Sequence, residues 1–411
     1  MNQINRRRFL GSVSLWGGAA GLAVVQPAQV RGTAANSRLK LGVVGCGGRG
    51  HWIANLFAQH GGYELHAVAD YFADVVQNCG EQLQVDPARR FSGLAGYQAL
   101  MESGIDAVAL ETPPYCFPQH VRRAVESGLH VFMAKPVAVD VPGTLEIARW
   151  GRQAGQQGQC FLVDYQIPTD PLNQEVVRRI RDGAIGPLLM VRTHYLAGTF
   201  SDPPLTESVE SRLRNLVWVN DTALGGGYHV NACIHGVDGG LWLLDQQPIA
   251  ATGVSRIGRS DPHGDSHDMF SICFEFADGT FMNHVGSHLN SVFDVRCVAY
   301  GQAGNAEIGY TGTAQLNGES AYEGGQIENL YQAGAVRNIA RFHDAIQSGD
   351  ASNTTLAPAL RSALATILGR EAAARRTRLT MEELMRENRS IPADLSGLAL
   401  DARLPGQVHG I

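Results

Sequence analysis

The stretch that decides the fold is "KLGVVGCGGRGHWIANLF", residues 40–57. A short apolar run leads into three glycines spaced Gly45-x-Gly47-x-x-Gly50, and an amphipathic segment follows them. This order predicts a strand, a tight turn and a helix. The first glycine permits the turn, the second lets the backbone approach a pyrophosphate, and the third lets the helix pack closely on the strand. Because glycine makes up 48 of the 411 residues, the pattern needs support from the sequence around it.

That support comes from Asp70, which lies 20 residues after Gly50 at the end of an apolar segment. An acid in this place accepts hydrogen bonds from ribose hydroxyls and repels a 2′-phosphate. Tyr71 and Phe72 follow, so no neighbouring cation would pair with such a phosphate. We therefore predict NAD as the cofactor, with NADP less favoured and a degenerate, empty site as the alternative. The predicted cofactor-binding residues here are Gly45, Gly47, Gly48, Arg49, Gly50 and Asp70.

Strand-like and helix-like segments alternate up to about residue 166, which predicts βαβ units and a parallel sheet. After about residue 186 the segments are longer and alternate with period two, and "ADGT" at 277–280 predicts a hairpin turn. The predicted fold class is α/β, with an N-terminal Rossmann doubly wound parallel sheet followed by an α/β domain with a large, mostly antiparallel open sheet. The predicted segments are a signal peptide (1–35), an NAD-binding domain (36–160), a substrate and oligomerisation domain (161–391) and a surface tail (392–411).

The N-terminus carries a targeting pattern. Arg6, Arg7 and Arg8 precede Phe9-Leu10 and a Gly/Ala-rich apolar run that is too short for a stable transmembrane helix. The pattern resembles the twin-arginine export signal and predicts a periplasmic or otherwise exported protein without a membrane span in the mature chain. An uncleaved anchor or an unstructured tail is the alternative. The net charge of −6, without a basic cluster in the body of the chain, argues against nucleic acid as a partner.

Neither cysteines nor histidines form a convincing metal motif. The seven cysteines are scattered without a C-x-x-C pair, which is typical of buried small apolar residues rather than of a disulfide framework or zinc site. "DPHGDSHD" offers His263, Asp265, His267 and Asp268, which are suitable ligand types for a divalent ion. A polar loop between two strands explains this stretch better, and we predict no metal.

Four further stretches carry a resemblance to a known family: "ETPPYCFPQH" (111–120), "HVFMAKPVAVDVPG" (130–143), "GGGYHVNACIHGVDGGLWLL" (225–244) and "SALATILGREAA" (362–373). With the glycine motif they resemble the Gfo/Idh/MocA oxidoreductases over residues 39 to about 385. Members of that family commonly move a hydride between NAD(P) and a sugar, cyclitol or related polyol. The resemblance therefore implies a carbohydrate or polyol substrate and a homodimer or homotetramer.

The first catalytic candidate is Lys135. The family usually has Glu-Lys-Pro here, whereas this chain has Ala134-Lys135-Pro136. The resemblance implies that Lys135 contacts the reacting hydroxyl, and its predicted place at the carboxyl end of a parallel strand is where such sheets bind ligands. A cation there stabilises a developing alkoxide. The loss of the acid at 134 leaves the lysine's surroundings open.

The second catalytic candidate is His235, in a motif that is often Asp-x-x-x-His in the family and is Asn231-x-x-x-His235 here. Spacing of four residues places both side chains on one helix face. His235 is expected to act as the acid/base, since an ordinary histidine pKa of about 6.5 allows proton exchange near neutrality. Asn231 is a candidate for a substrate hydrogen bond, and Asp238 for orienting the imidazole.

The remaining candidates rest on strand ends and on the resemblance. Tyr165 and Gln166 end the fifth predicted strand and are predicted to bind substrate. The loop after the third predicted strand is expected beside the cofactor through Thr112, Pro113 and Pro114, and Lys135 is predicted to contact the cofactor as well as the substrate. For four other residues, contact with substrate and ordinary packing stay open: His194, Tyr195, Tyr228 and His229.

Together these features predict an exported NAD-dependent oxidoreductase acting on the CH–OH group of a sugar, cyclitol or related polyol. Because free NAD is scarce outside the cytoplasm, an exported enzyme has to keep its cofactor and regenerate it in place. Two alternatives stay open. One is an NAD-dependent glycoside-cleaving enzyme that oxidises the sugar transiently, and the other is a catalytically silent NAD- or sugar-binding protein.

Overall fold

The computed structural model describes residues 38–200, 202, 209–214, 217–288 and 292–400. The predicted twin-arginine segment and residues 401–411 lie outside the described residues. Within the described part of the chain, no helix combines the length and the apolar character needed to cross a membrane.

The first sheet has six strands in the order β3-β2-β1-β4-β5-β6, and every neighbouring pair is parallel. This confirms the predicted Rossmann sheet. The chain order reverses between β1 and β4, and open α/β sheets bind ligands at such a switch point. The short edge strand β3 was not predicted, because three residues are too few to show a period. The strands are β1 (Leu39–Val44), β2 (Tyr63–Asp70), β3 (Arg90–Ser92), β4 (Ala107–Leu110), β5 (His130–Ala134) and β6 (Phe161–Asp164).

Helices cover both faces of this sheet. The residues of β4 are all buried, as expected for a parallel strand with helices on either side. The helices of this part of the chain are α1 (Gly48–His60), α2 (Ala73–Gln82), α3 (Gly96–Met101), α4 (Phe117–Glu126) and α5 (Val141–Gln156).

The second sheet has nine strands in the order β14-β13-β12-β11-β7-β10-β9-β8-β15. Its pairs are antiparallel except for β7 and β10, which run parallel, so the predicted mostly antiparallel sheet is confirmed. Residues 276–280 form the predicted hairpin turn between β9 and β10. The strands are β7 (Leu188–Leu196), β8 (Ala250–Arg256), β9 (Met269–Glu275), β10 (Phe281–Ser287), β11 (Asp294–Gly301), β12 (Gly304–Gly309), β13 (Thr313–Gly318), β14 (Tyr322–Gln326) and β15 (Leu379–Thr380).

Helices of the second half of the chain pack beside both sheets. One buried helix, α9, packs on β7 and β11 of the second sheet, and α10 packs on α1 beside the first sheet. Phe342 of α10 shares a core with Phe57 of α1 and Phe132 of β5. The helices are α6 (Pro171–Arg181), α7 (Val209–Leu213), α8 (Thr222–Gly225), α9 (Ile234–Leu244), α10 (Leu330–Ser348), α11 (Leu356–Arg375) and α12 (Met381–Glu387).

Candidate functional site

The glycine turn between β1 and α1 forms a cradle that side chains would close. Gly45 has φ +93°, and a Cβ added to Gly50 would lie 1.7 Å from the carbonyl oxygen of Gly45. Gly47 and Gly48 face open space, and Gly47 caps α1 without a side-chain hydrogen bond. The first N–H groups of a helix have no intrahelical partner and carry its positive dipole end, so this turn suits a diphosphate.

Asp70 fixes one side of the cradle. Its Oδ2 accepts a hydrogen bond from the Cys46 amide at 2.7 Å, and its Oδ1 accepts one from the Phe72 amide at 3.1 Å. Burial raises the pKa of this carboxyl, while those amides oppose the rise. The carboxylate is thus held at the end of β2 beside a cavity of about 390 Å³. The predicted cofactor residues that line this cavity are Gly45, Gly47, Gly48, Arg49, Gly50, Asp70, Thr112 and Pro113.

Two predicted cofactor residues lie elsewhere. Pro114 is a buried residue of the 3₁₀ helix Pro114–Cys116 and is outside the lining of the cavity. Lys135 is also outside that lining and belongs to an adjoining cluster of charges. The residues present therefore fit the diphosphate and the adenosine ribose of a dinucleotide.

Arg49 separates the cavity from the charge cluster. Its Nε lies 2.9 Å from Glu111 Oε2, and its Nη2 lies 2.6 Å from Asp164 Oδ2. Both carboxylate side chains are completely buried. Nη1 donates a hydrogen bond of 2.6 Å to Tyr331 Oη on α10. A partly exposed cation in this position compensates two carboxylates that would otherwise be costly to bury.

Lys135 lies directly after β5, and its Nζ donates a hydrogen bond of 2.8 Å to the carbonyl oxygen of Asn231. Burial and the charge of Arg49 lower the pKa of Lys135 to about 7, although Asp164 and Glu111 favour the charged form. The pKa of Glu111 is raised to about 7, chiefly by burial. The acid missing at position 134 is therefore supplied by residues that follow or end the neighbouring strands β4 and β6.

His235 lies near the start of α9 among three tyrosine rings. The ring centroids of Tyr195, Tyr310 and Tyr165 lie 6.0, 5.0 and 6.3 Å from that of the imidazole. Burial lowers the pKa of His235 well below 6.5, and the charges of Lys135 and Arg49 lower it further. The expectation that His235 titrates near neutrality is therefore wrong. Lys135 and Glu111 are the groups of the cluster whose pKa values are moved to about 7.

Asp238 bonds to Ser362 and not to His235 as expected, whereas the substrate contact expected of Asn231 stays a prediction. Asn231 lies in a π-helical turn, His229–Cys233, so the regular α-helical face predicted for residues 231 and 235 is interrupted. Its side-chain amide donates to the Gly225 carbonyl oxygen at 3.4 Å, and its own carbonyl oxygen accepts from Lys135. The Asp238 carboxylate accepts a hydrogen bond of 2.6 Å from Ser362 on α11. These two residues brace the lysine and the helix pair.

Tyr165 and Gln166 have different surroundings. Gln166 is 1% exposed, donates to Asp164 Oδ2 at 2.6 Å and accepts a hydrogen bond from the hydroxyl of Tyr310. It links the two sheets and does not face open space. The hydroxyl of Tyr165 is buried without a hydrogen-bond partner among the described residues, and the Tyr165 ring packs near His235.

Of the four residues for which contact with substrate was left open, only Tyr195 packs beside His235. His194, its neighbour on β7, lies on the opposite face and pairs with Asp294 at 3.0 Å. Tyr228 and His229 are fully buried, where Tyr228 packs on Tyr195 and His229 on Phe270.

The candidate metal ligands at 263–268 are engaged separately. Asp265 accepts a hydrogen bond from the Thr222 amide, Asp268 pairs with Arg259 at 2.8 Å, and His267 lies 2.7 Å from Ser255 Oγ. These contacts support the polar-loop interpretation. A separate buried group, His229, Cys233 and His284, brings its ligand atoms within 4.8 Å of one another. The charge of Arg370 acts on His229 and disfavours a further cation there, and the absence of a metal stays a prediction.

Three residues of the cluster were not predicted from the sequence: Glu111, Asp164 and Tyr310. Glu111 directly follows β4 and Asp164 ends β6, so both obey the strand-end rule that selected Asp70 and Lys135. Applying the rule to every strand would have found them. Tyr310 follows β12 in the second sheet, and no local pattern announces its contact with Gln166.

Comparison with known proteins agrees with this geometry. Residues 39–165 match the description "Oxidoreductase family, NAD-binding Rossmann fold" of the Gfo/Idh/MocA group, and residues 173–307 match the GFO/IDH/MocA C-terminal domain. Inositol 2-dehydrogenase 4 of Saccharopolyspora erythraea is 25% identical over 328 residues, which cover 76% of this chain and 87% of that protein. The 2,7-anhydro-N-acetylneuraminate hydratase of Escherichia coli is 25% identical over 244 residues, which cover 59% of each chain.

Among solved structures, the aldose–aldose oxidoreductase of Caulobacter crescentus complexed with glycerol has a TM-score of 0.67 and 21% identity, covering 84% of this chain and 100% of that one. Some curated relatives are matched over only 50% to 59% of their own length. The two family matches lie on the two sheets described above and on the motifs that the sequence resemblance used. The chain belongs to the Gfo/Idh/MocA family of oxidoreductases.

Proposed function

We propose that the protein is an exported NAD-dependent oxidoreductase that transfers a hydride between a tightly held nicotinamide cofactor and a sugar, cyclitol or related polyol. One observation carries the proposal: Lys135, whose Nζ donates to the Asn231 carbonyl oxygen, lies at the same carboxyl edge of the first sheet as the glycine turn and Asp70, which line the cavity. Burial lowers the pKa of this amine to about 7. Export rests on the twin-arginine pattern, and the substrate class rests on the relatives and on the polar groups of the cluster.

The bound nicotinamide would supply the hydride acceptor or donor. In the oxidative direction, the neutral amine of Lys135 accepts the proton of the reacting hydroxyl. The ammonium group that results then stabilises the partial negative charge on the substrate oxygen. His235 stays neutral at physiological pH and offers a ring nitrogen for orienting the substrate, because its Nδ1 has no hydrogen-bond partner among the described residues. The Tyr165 hydroxyl provides a further contact.

The pH profile should follow Lys135, and Glu111 should contribute to its midpoint. Since oxidation needs the neutral amine, kcat/KM for oxidation should rise as pH increases through about 7, and reduction should show the opposite dependence. The charge of Glu111 favours the ammonium form, so Glu111→Gln should move the midpoint to lower pH. Glu126→Gln, at an exposed acid on α4, should leave it unchanged. An unmoved midpoint in Glu111→Gln would exclude this electrostatic role.

Asp70 should select NAD over NADP. Arg214 reaches this region, but both of its terminal nitrogens are bound by Asp74, at 2.9 and 3.0 Å, so it is committed to another carboxylate. Asp70→Ser should weaken NAD binding about tenfold and narrow the preference against NADP, because it removes both the ribose acceptor and the charge that repels a phosphate. Calorimetry on cofactor-stripped protein measures both affinities. Asp70→Asn removes the charge and keeps the shape of the side chain. An unchanged NADP affinity in both variants would contradict the role of Asp70 in selecting NAD.

A second candidate is a reaction without net oxidation, in which transient oxidation of the sugar acidifies the neighbouring C–H and permits elimination or addition. The match to a hydratase favours this candidate. Both routes use the same cofactor and the same lysine, so the site residues alone do not separate them.

One experiment distinguishes the routes. The protein is isolated under mild conditions, its retained nucleotide is identified by mass spectrometry, and a panel of sugars, cyclitols and glycosides is then added. A lasting absorbance change at 340 nm supports net oxidoreduction. Product release without that change supports the second candidate. A bound nucleotide without turnover on any compound supports a silent binding protein and contradicts the proposal.

A further inference from the structure

The C-terminal tail is tied to the first sheet by its backbone. The amide of Leu94 donates to the Ala399 carbonyl oxygen at 3.1 Å, and the amide of Ala95 donates to that of Leu400 at 2.9 Å. The Ala399 amide donates to the Tyr71 hydroxyl at 3.2 Å. These bonds join residues 391–400, here named the strap, to the ends of β2 and β3.

The strap places two apolar side chains on the cofactor cavity. Leu395 and Leu398 line it together with Asp70, Tyr71 and Leu94. A turn closed by the Leu398 amide and the Leu395 carbonyl oxygen at 3.2 Å brings both leucines to the same side, while the residues between them are exposed. The strap therefore contributes a wall to the cavity.

A second segment lines the same cavity. Leu213, Trp218 and Leu224 contribute to the lining. Arg214 holds its segment in place, because its guanidinium lies 3.9 Å above the Phe72 ring and pairs with Asp74. Phe72 and Asp74 follow β2 directly, so this segment and the strap are both fastened next to Asp70.

The sheet order tells which end of a dinucleotide would lie there. Asp70 ends β2, and Tyr71 and Leu94 follow β2 and β3, on one side of the switch point, whereas Lys135 follows β5 on the other. The acid at the end of β2 takes the adenosine ribose in this fold. The strap therefore borders the adenosine end, away from the charge cluster.

We propose that the strap, through Leu395 and Leu398, covers the adenosine end of the bound dinucleotide and slows its release. This inference rests on the proposed function, since it requires that NAD occupies the cavity. Release of the adenosine then requires loss of the strap's bonds to Leu94, Ala95 and Tyr71 and exposure of two leucines. An enzyme that recycles its cofactor in place gains from such retention.

The test measures dissociation of NADH from the full-length protein. Wild type and the double variant Leu395→Ser/Leu398→Ser are loaded with NADH, mixed with excess NAD, and followed by NADH fluorescence. We expect the double variant to release NADH at least about tenfold faster, with an unchanged melting temperature of the cofactor-free protein. Leu145→Ser, at a leucine that is 41% exposed on α5, is the matched control and should release NADH at the wild-type rate.

A second measurement covers the case in which the double variant is unstable. Hydrogen exchange of the Leu94, Ala95 and Ala399 amides in wild type should slow when NADH is added. Equal NADH release rates in all three proteins, or hydrogen exchange that NADH does not slow, would overturn the proposed role of the strap in retaining the cofactor. The proposed function would stay intact. Failure of wild type to bind either NAD or NADH would overturn both.

Discussion

Replacing Lys135 with methionine should lower turnover by about 10²–10⁴-fold while the protein keeps its fold and its affinity for NAD. Lys135 lies outside the cavity lining, and its Nζ is the donor to the Asn231 carbonyl oxygen. Methionine keeps the apolar stem and removes the amine that accepts the hydroxyl proton. In free energy this loss corresponds to about 3–5 kcal/mol of transition-state stabilisation.

The variant has a second, independent readout. Because the charge of Lys135 helps to lower the pKa of His235, the methionine variant should titrate His235 at a higher pH. Imidazole NMR of the two proteins measures this shift without any substrate. The same variant should also lose the rise of oxidation with pH through about 7.

The chain supplies an unusually clear control, since Lys40 and Lys135 are its only two lysines. Lys40 is exposed on β1, so Lys40→Met removes the same charge far from the cluster and should leave turnover unchanged. Full turnover in Lys135→Met would remove this residue from the mechanism. A drop of similar size in Lys40→Met would point to a general effect of charge.

The first domain could be predicted closely because its signals are local. The glycine spacing, the apolar strands and Asp70 each follow from a short stretch of sequence, and the structure places them as expected. Lys135 was singled out by the family resemblance, and its predicted strand-end position agreed with it, since strand ends meet at one edge of a parallel sheet. The family resemblance then named the chemistry.

The electrostatics of the cluster could not be predicted in the same way. The pKa of His235 depends on burial, where Tyr195 and Tyr310 pack around the imidazole, and on two cations that are far away in sequence, Arg49 in α1 and Lys135 after β5. An ordinary pKa was expected for His235 because the spacing of residues in the sequence contains no information on the burial of a side chain.

The π-helical turn and the strap illustrate a further limit. Asn231 was expected on a regular helix face, but a π turn is not encoded by apolar periodicity. The strap has no periodicity either, and its position depends on backbone bonds to Leu94 and Ala95. Backbone contacts between segments far apart in sequence leave little trace in side-chain patterns.

Gly50→Ala should abolish tight NAD binding, with an affinity loss of at least about 100-fold, and should destabilise the protein by about 3 kcal/mol. The added Cβ would lie 1.7 Å from the Gly45 carbonyl oxygen, which is far inside van der Waals contact. That oxygen belongs to the backbone of the turn, so it cannot move unless the turn opens. Gly45 also has little room to move, because the backbone of Glu111 lies close to it: a Cβ built on Gly45 would be 2.6 Å from the Glu111 carbonyl carbon.

Calorimetric NADH titration and thermal unfolding measure the two effects of Gly50→Ala. The matched control is Gly155→Ala in α5, where the new Cβ would meet only the Ala351 carbonyl oxygen, at 3.4 Å. A helical glycine replaced by alanine in open surroundings should gain about 0.5–1 kcal/mol of stability and keep wild-type NADH affinity. Wild-type NADH affinity in Gly50→Ala would mean that the phosphates do not lie on this turn. The glycine spacing would then serve only the close packing of α1 on β1, and the dinucleotide would have to bind elsewhere.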